Sequence, residues 1–72
     1  MTNGLVKGRK TMFIKGYAVQ WFSQLLVTKV MIYANIPHNK YVCMLGMTLP
    51  YIATDSDIES IAKLKIEEVE SL

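Results

Sequence analysis

Cys43 and His38 are the two side chains of this chain whose types suit nucleophilic catalysis. Such catalysis needs a thiol, a base within hydrogen-bond reach and an acid that orients the base. Cys43 lies in an apolar segment, where thiols are generally unreactive, and His38 lies in a predicted turn. We therefore interpret Cys43 as a core residue and His38 as a solvated turn residue.

Carboxylates and glycines could serve other reactions, but neither is arranged for one. Glu67, Glu68 and Glu70 fall on a predicted solvated helix, where nothing tunes them for acid–base chemistry. The glycines do not have the spacing of a phosphate-binding loop. One cysteine and one histidine are too few for a metal site of soft ligands. The sequence therefore predicts a protein that is not an enzyme and has no catalytic residue, metal or cofactor.

The charges are divided along the chain. Residues 1–54 contain six cations and no Asp or Glu, a formal +6, whereas residues 55–72 contain six acids and two lysines, a formal −4. Carboxylates at a helix C-terminus meet the negative end of the helix dipole, so Glu67, Glu68 and Glu70 should meet cations of the basic arm or of a partner. The predicted basic arm is flexible, spans residues 1–10 and contains Lys7, Arg9 and Lys10.

Size and composition indicate that the chain needs reinforcement. A chain of 72 residues buries only about 60% of its unfolded surface, so its stability should be marginal. Its single cysteine excludes an internal disulfide and favours the reducing cytoplasm. Apolar residues make up 51% of the chain and the mean hydropathy is +0.24, which predicts apolar surface left for a partner.

Strand-forming segments precede one helix. Residues 11–15 predict a first strand, and residues 28–36 and 40–49 predict a hairpin whose turn is the Pro-His-Asn tripeptide at 37–39. Both hairpin strands are apolar on both faces, so each face needs cover from the protein or from a partner. Residues 17–26 fit either a short helix or a strand, and the sequence leaves that choice open.

An amphipathic helix is predicted over residues 57–71. Ser56 and Glu59 match a capping box, and acids in the first turn suit the helix dipole. One apolar stripe consists of Ile58, Ile61, Ala62, Ile66, Val69 and Leu72. The predicted fold is α+β, with a small antiparallel sheet of about three strands and this helix packed on it, in a single domain over residues 11–72.

The expected function is binding to a larger macromolecular assembly. The chain would act as an accessory subunit, or as a small inhibitor of the kind encoded by phages and mobile elements, and its partner would be a protein, a second copy of the chain, or both. The predicted apolar contacts are Trp21, Phe22, Tyr33 and Tyr41, and the predicted charged contacts are Lys7, Arg9, Lys10, Glu67, Glu68 and Glu70.

Two alternatives remain open. The first is a nucleic-acid-binding module that uses the basic arm and the sheet, with aromatic side chains as stacking platforms. The second is a membrane-associated subunit with a span at residues 17–36, which have the right length. Lys29 lies inside that run, and a lysine within a span is costly, so the membrane alternative is disfavoured.

Overall fold

An antiparallel sheet of four strands and one helix make up residues 8–36 and 40–72, the part of the chain that the computed structural model describes. The strands are consecutive in the sheet and in the chain: β1 (Lys10–Ile14), β2 (Tyr17–Gln24), β3 (Val27–Ile36) and β4 (Lys40–Leu49). The helix, α1 (Asp55–Glu70), follows them. The α+β class is confirmed, with four strands instead of about three.

The additional strand is the segment that fitted both helix and strand. Residues 17–24 form β2, which pairs with β1 on one side and β3 on the other, so a short helix at 17–26 and a helical span at 17–36 are both wrong. Pairing on two sides satisfies the backbone of β2 and suits its aromatic and β-branched residues. The predicted hairpin of β3 and β4 is confirmed, and its turn at 37–39 lies outside the described residues.

Two-residue turns join β1 to β2 and β2 to β3. Lys15 and Gly16 have φ of 52° and 86°, and Leu25 and Leu26 have φ of 52° and 70°. Positive φ at both central residues is typical of the type I′ turn, which matches the twist of a hairpin. The left-handed conformation costs a residue other than glycine about 1–2 kcal/mol. The second turn is therefore the more strained, because both of its residues carry that cost.

The helix begins two residues before the predicted start, because its cap is Thr54 and not Ser56. The Thr54 hydroxyl accepts a hydrogen bond from the Asp57 amide, and the Asp57 carboxylate accepts one from the Thr54 amide, both at 3.1 Å. This is a capping box with Asp in the place that Glu usually takes. Asp55 and Asp57 lie in the first turn, where the helix dipole favours negative charge.

One face of the sheet packs against the apolar stripe of α1. Alternate residues of the two central strands point to the helix, which buries their side chains. Met12 and Ile14 of β1 extend this contact at the sheet edge. The buried core consists of Val19, Trp21, Val30, Ile32, Ile58, Ala62 and Ile66.

A buried hydroxyl fixes the connection between the sheet and the helix. Thr28 is fully buried, and its Oγ1 donates a hydrogen bond to the Tyr51 carbonyl at 2.8 Å and accepts one from the Ala53 amide at 2.9 Å. Because its one proton is used, the Ser23 hydroxyl at 2.9 Å must be a donor to it. Thr28 thus uses its full hydrogen-bonding capacity and holds residues 51–53 against β3.

Replacing Thr28 with valine tests this anchor. The side chain keeps its shape, but the Ala53 amide and the Tyr51 carbonyl lose their partner, so the free energy of unfolding should fall by about 1–3 kcal/mol. Urea denaturation followed by circular dichroism measures the change. Ser23→Ala is the matched control, because it removes only one bond at an exposed position and should cost less. Equal stability of Thr28→Val and the wild type would contradict the anchor.

Candidate binding face

The sheet face opposite α1 is covered by no element of the described residues. Strand residues alternate between the two faces, so those flanking each buried position point away from the helix. We call this surface the open face. Its apolar and aromatic members are Phe13, Ala18, Phe22, Met31, Tyr33 and Tyr41, as the strand register requires.

An aromatic cluster occupies one half of the open face. Phe13 and Tyr41 come from the two edge strands, yet their ring centroids lie 6.5 Å apart at an interplanar angle of 54°. They lie over Ala18 of β2, which is only 8% exposed, while Phe13 itself is 67% exposed. With Tyr33 they line a depression of about 390 Å³. The cluster combines exposed aromatic surface with a backbone held by strand pairing.

A β-bulge in β4 places Tyr41 in this cluster. Ile32 pairs with Leu45, but Tyr33 pairs with Cys43, which leaves Met44 as an extra residue. A one-residue insertion reverses the face to which the strand residues on its far side point, here those that precede Met44. Without the bulge Tyr41 would point to the helix side. The same shift places Cys43 on the open face, where it is exposed, so its interpretation as a core residue is wrong.

A cationic depression occupies the other half of the open face. The Arg9 guanidinium lies 5.4 Å from the centroid of the Phe22 ring, and Lys29 is the cross-strand partner of Phe22. Gly46 is opposite Met31, and its lack of a side chain contributes to a depression of about 390 Å³. A Cβ at Gly46 would meet only the Val30 carbonyl oxygen at 4.0 Å. Local crowding therefore does not require glycine there.

The open face is free of strand carboxylates, because residues 1–54 contain no Asp or Glu. All six acids lie in α1, where cations of the same chain pair with several of them. Lys15, in the turn between β1 and β2, lies 3.7 Å from a Glu67 oxygen and 3.6 Å from a Glu70 oxygen. Glu68 pairs with Lys65 at 3.7 Å within the helix. The three C-terminal glutamates thus meet cations of the turn and of the helix itself.

The predicted binding residues divide between the two layers. Phe22, Tyr33, Tyr41 and Arg9 lie on the open face, as described above. Trp21 points to the opposite face, where it is 4% exposed in the core, and so it cannot belong to the same surface.

The basic residues of the predicted arm do not lie on one surface. Lys10 is the first residue of β1 and pairs with Asp55 at 3.1 Å, so it lies on the helix side. Lys7 is outside the described residues.

Neither Phe13 nor Gly46 is among the predicted partner contacts, although Phe13 is one of the aromatic residues that the nucleic-acid alternative takes as stacking platforms. The alternation within β1 could have indicated Phe13, because Met12 and Ile14 flank it and point the other way. No local signal identifies Gly46, whose position depends on the register of β4.

Comparisons of the chain with protein-family models, with curated proteins and with solved structures found no match in any of the three. Within the described residues, α1 lacks the length and apolar character of a membrane-crossing helix.

Two aromatic substitutions separate the core from the open face. Trp21→Ala should lower the free energy of unfolding by about 3–5 kcal/mol, which is enough to unfold a domain of this size. Phe13→Thr removes a mostly exposed ring and should cost about 1 kcal/mol, mainly from the contact with Tyr41. Circular dichroism during urea denaturation reports both values. Similar losses for the two variants would contradict the assignment of faces.

Proposed function

We propose that this protein is a non-catalytic binding module that attaches to a larger protein assembly through the open face. It acts as an accessory subunit, or as a small inhibitor of the kind encoded by phages and mobile elements. The observation that carries the proposal is the aromatic cluster of Phe13, Tyr33 and Tyr41, which is partly exposed on a face that no described element covers. Aromatic side chains of this kind dominate the binding energy of protein interfaces.

The geometry also supports a partner surface of particular chemistry. The aromatic half of the open face suits an apolar side chain of the partner. The depression at Gly46 suits a second side chain of the same partner segment. Arg9 and Lys29 flank that depression without a strand carboxylate to neutralise them. The complementary partner therefore combines apolar residues with acidic ones. Tyr33 and Tyr41 lie in paired strands, so their backbones lose little freedom on binding to such a surface.

Paired variants of the open face test this proposal. Phe13→Thr with Tyr41→Thr removes the aromatic contacts, while Gly46→Val fills the cationic depression and should leave the fold intact or slightly more stable. Tagged wild-type protein should capture a partner from native-host extract that neither variant captures, and the purified partner should bind the wild type alone. Lys63→Gln, on the exposed side of α1, is the control and should keep binding. Equal capture by all four proteins would contradict a role of the open face.

A second candidate function is binding of single-stranded nucleic acid. One observation favours it: the helix, with all the acidic side chains, lies on the layer opposite the open face. Arg9 and Lys29 would contact phosphates, and Phe13, Tyr33 and Tyr41 would stack on bases. Arg9 and Lys29 are the two cations that the described residues place at the open face, and two cations contact few phosphates. The binding of a protein partner therefore has the stronger support.

A salt titration with labelled single-stranded DNA and RNA decides between the two candidates. If Arg9 and Lys29 each neutralise one phosphate, the logarithm of the binding constant should fall with that of the salt concentration by about 0.7 per cation. The double variant Arg9→Gln with Lys29→Gln should flatten that slope. No binding at low salt would eliminate the nucleic-acid function and leave the protein-binding proposal standing.

A further inference from the structure

The turn between β2 and β3 exposes two large apolar side chains in a strained backbone. Leu25 is 87% exposed and Leu26 is 77% exposed, and both have positive φ. Side chains this exposed contribute little to packing within the chain. Leucine is poorly suited to either position, because both require positive φ. Packing within the chain therefore does not explain why leucine occurs at them.

The turn at the opposite end of β2 shows what the same geometry ordinarily requires. Lys15 and Gly16 also have positive φ at both positions, but glycine occupies the second position and an exposed cation the first. Both residues suit a tight, exposed turn. The contrast within one sheet indicates that Leu25 and Leu26 serve a contact outside the chain.

Two further exposed apolar residues lie at the same end of the sheet. Tyr51 and Ile52 follow β4, whose last residue pairs with Thr28, and Thr28 holds the Tyr51 carbonyl at 2.8 Å. Because Thr28 is also two residues after Leu26, the turn and this segment share one end of the molecule. We call Leu25, Leu26, Tyr51 and Ile52 the apolar end. All four side chains are exposed.

We infer that the apolar end is the contact through which two copies of this chain form an end-to-end dimer about a two-fold axis. A two-fold contact uses the same patch on both copies, and this patch is apolar throughout. Charges of both signs lie beside it, because Lys10 pairs with Asp55 at the start of α1. This pair is already formed within each copy, so its two charges do not repel a second copy.

Charge and size favour a second copy over a lipid surface. Lys10, Asp55 and Asp57 together carry a formal charge of −1 close to the apolar end, which does not attract an anionic bilayer. Four side chains on each copy bury a total on the order of 1,000 Å², the lower limit of specific interfaces. The dimer should accordingly be reversible. It uses a different surface from the open face and does not rest on the function proposed for that face.

Analytical ultracentrifugation of the purified chain tests this inference. Between about 1 μM and about 1 mM, where a small interface is expected to dissociate, the wild type should shift from monomer to dimer. Leu25→Asn with Leu26→Gly gives the turn its preferred residues and should weaken the dimer at least tenfold. The same variant should raise the urea midpoint of the monomer, measured below the dimerisation range, so that lost association cannot be attributed to unfolding.

Matched variants make the result specific. Ile52→Ser, at the second segment of the apolar end, should also weaken the dimer, whereas Lys15→Asn in the other turn and Phe13→Thr on the open face should not. A wild type that stays monomeric at the highest concentration, or a dimer that Leu25→Asn with Leu26→Gly leaves unchanged, overturns the inference. Sedimentation of the monomeric wild type with phosphatidylcholine vesicles would overturn it in favour of a lipid surface.

Discussion

A single helix can cover only one of the two faces of the sheet, and the organisation of the surface follows from that limit. The strands carry apolar residues on both faces, so the face away from α1 keeps Phe13, Tyr33 and Tyr41 at the surface. The covered face has the usual composition of a core, with Trp21 and Ile32 buried against the stripe that includes Ile58. Because one helix covers one face, the aromatic side chains of the other face stay at the surface of the described residues.

The division of charge along the chain becomes a division between layers. Strands without carboxylates form the sheet, and all six acids belong to the helix. The asymmetry along the sequence therefore becomes a cationic open face and an acidic helix on the opposite side. The ion pairs of Lys15 with Glu67 and Glu70 join the layers at one end, and that of Lys10 with Asp55 joins them near the other. Each is solvent-exposed and contributes a few tenths to about 1 kcal/mol. These pairs orient the helix on the sheet, while apolar packing supplies most of the stability.

The parts of the fold that depend on local pattern could be predicted, and those that depend on pairing could not. The amphipathic period of α1 and the strand-like composition of the hairpin are local, so both predictions are confirmed. The local sequence does not decide whether residues 17–24 form a helix or a strand, because the spacing of their apolar residues fits both periodicities. Pairing with β1 and β3 on the two sides selects the strand. The helix start was misplaced because Thr54 with Asp57 and Ser56 with Glu59 are nearly equivalent signals. The exposure of Tyr41 and Cys43 depends on one bulge residue, Met44, which no sequence pattern marks.

The positions that weaken this small fold lie on the surfaces that α1 does not cover. Leu25 and Leu26 hold a left-handed backbone, Gly46 interrupts a strand without being required by crowding, and Phe13 exposes most of its ring. Each lowers stability in a domain that has little to spare. The helix-facing positions show the opposite pattern, with complete burial and the fully satisfied hydroxyl of Thr28. Local conflicts with folding are expected at sites that serve a function, and here they are confined to the surface, which agrees with the binding proposed above. These positions are apolar or lack a side chain, which is the chemistry that the proposed binding surfaces would use.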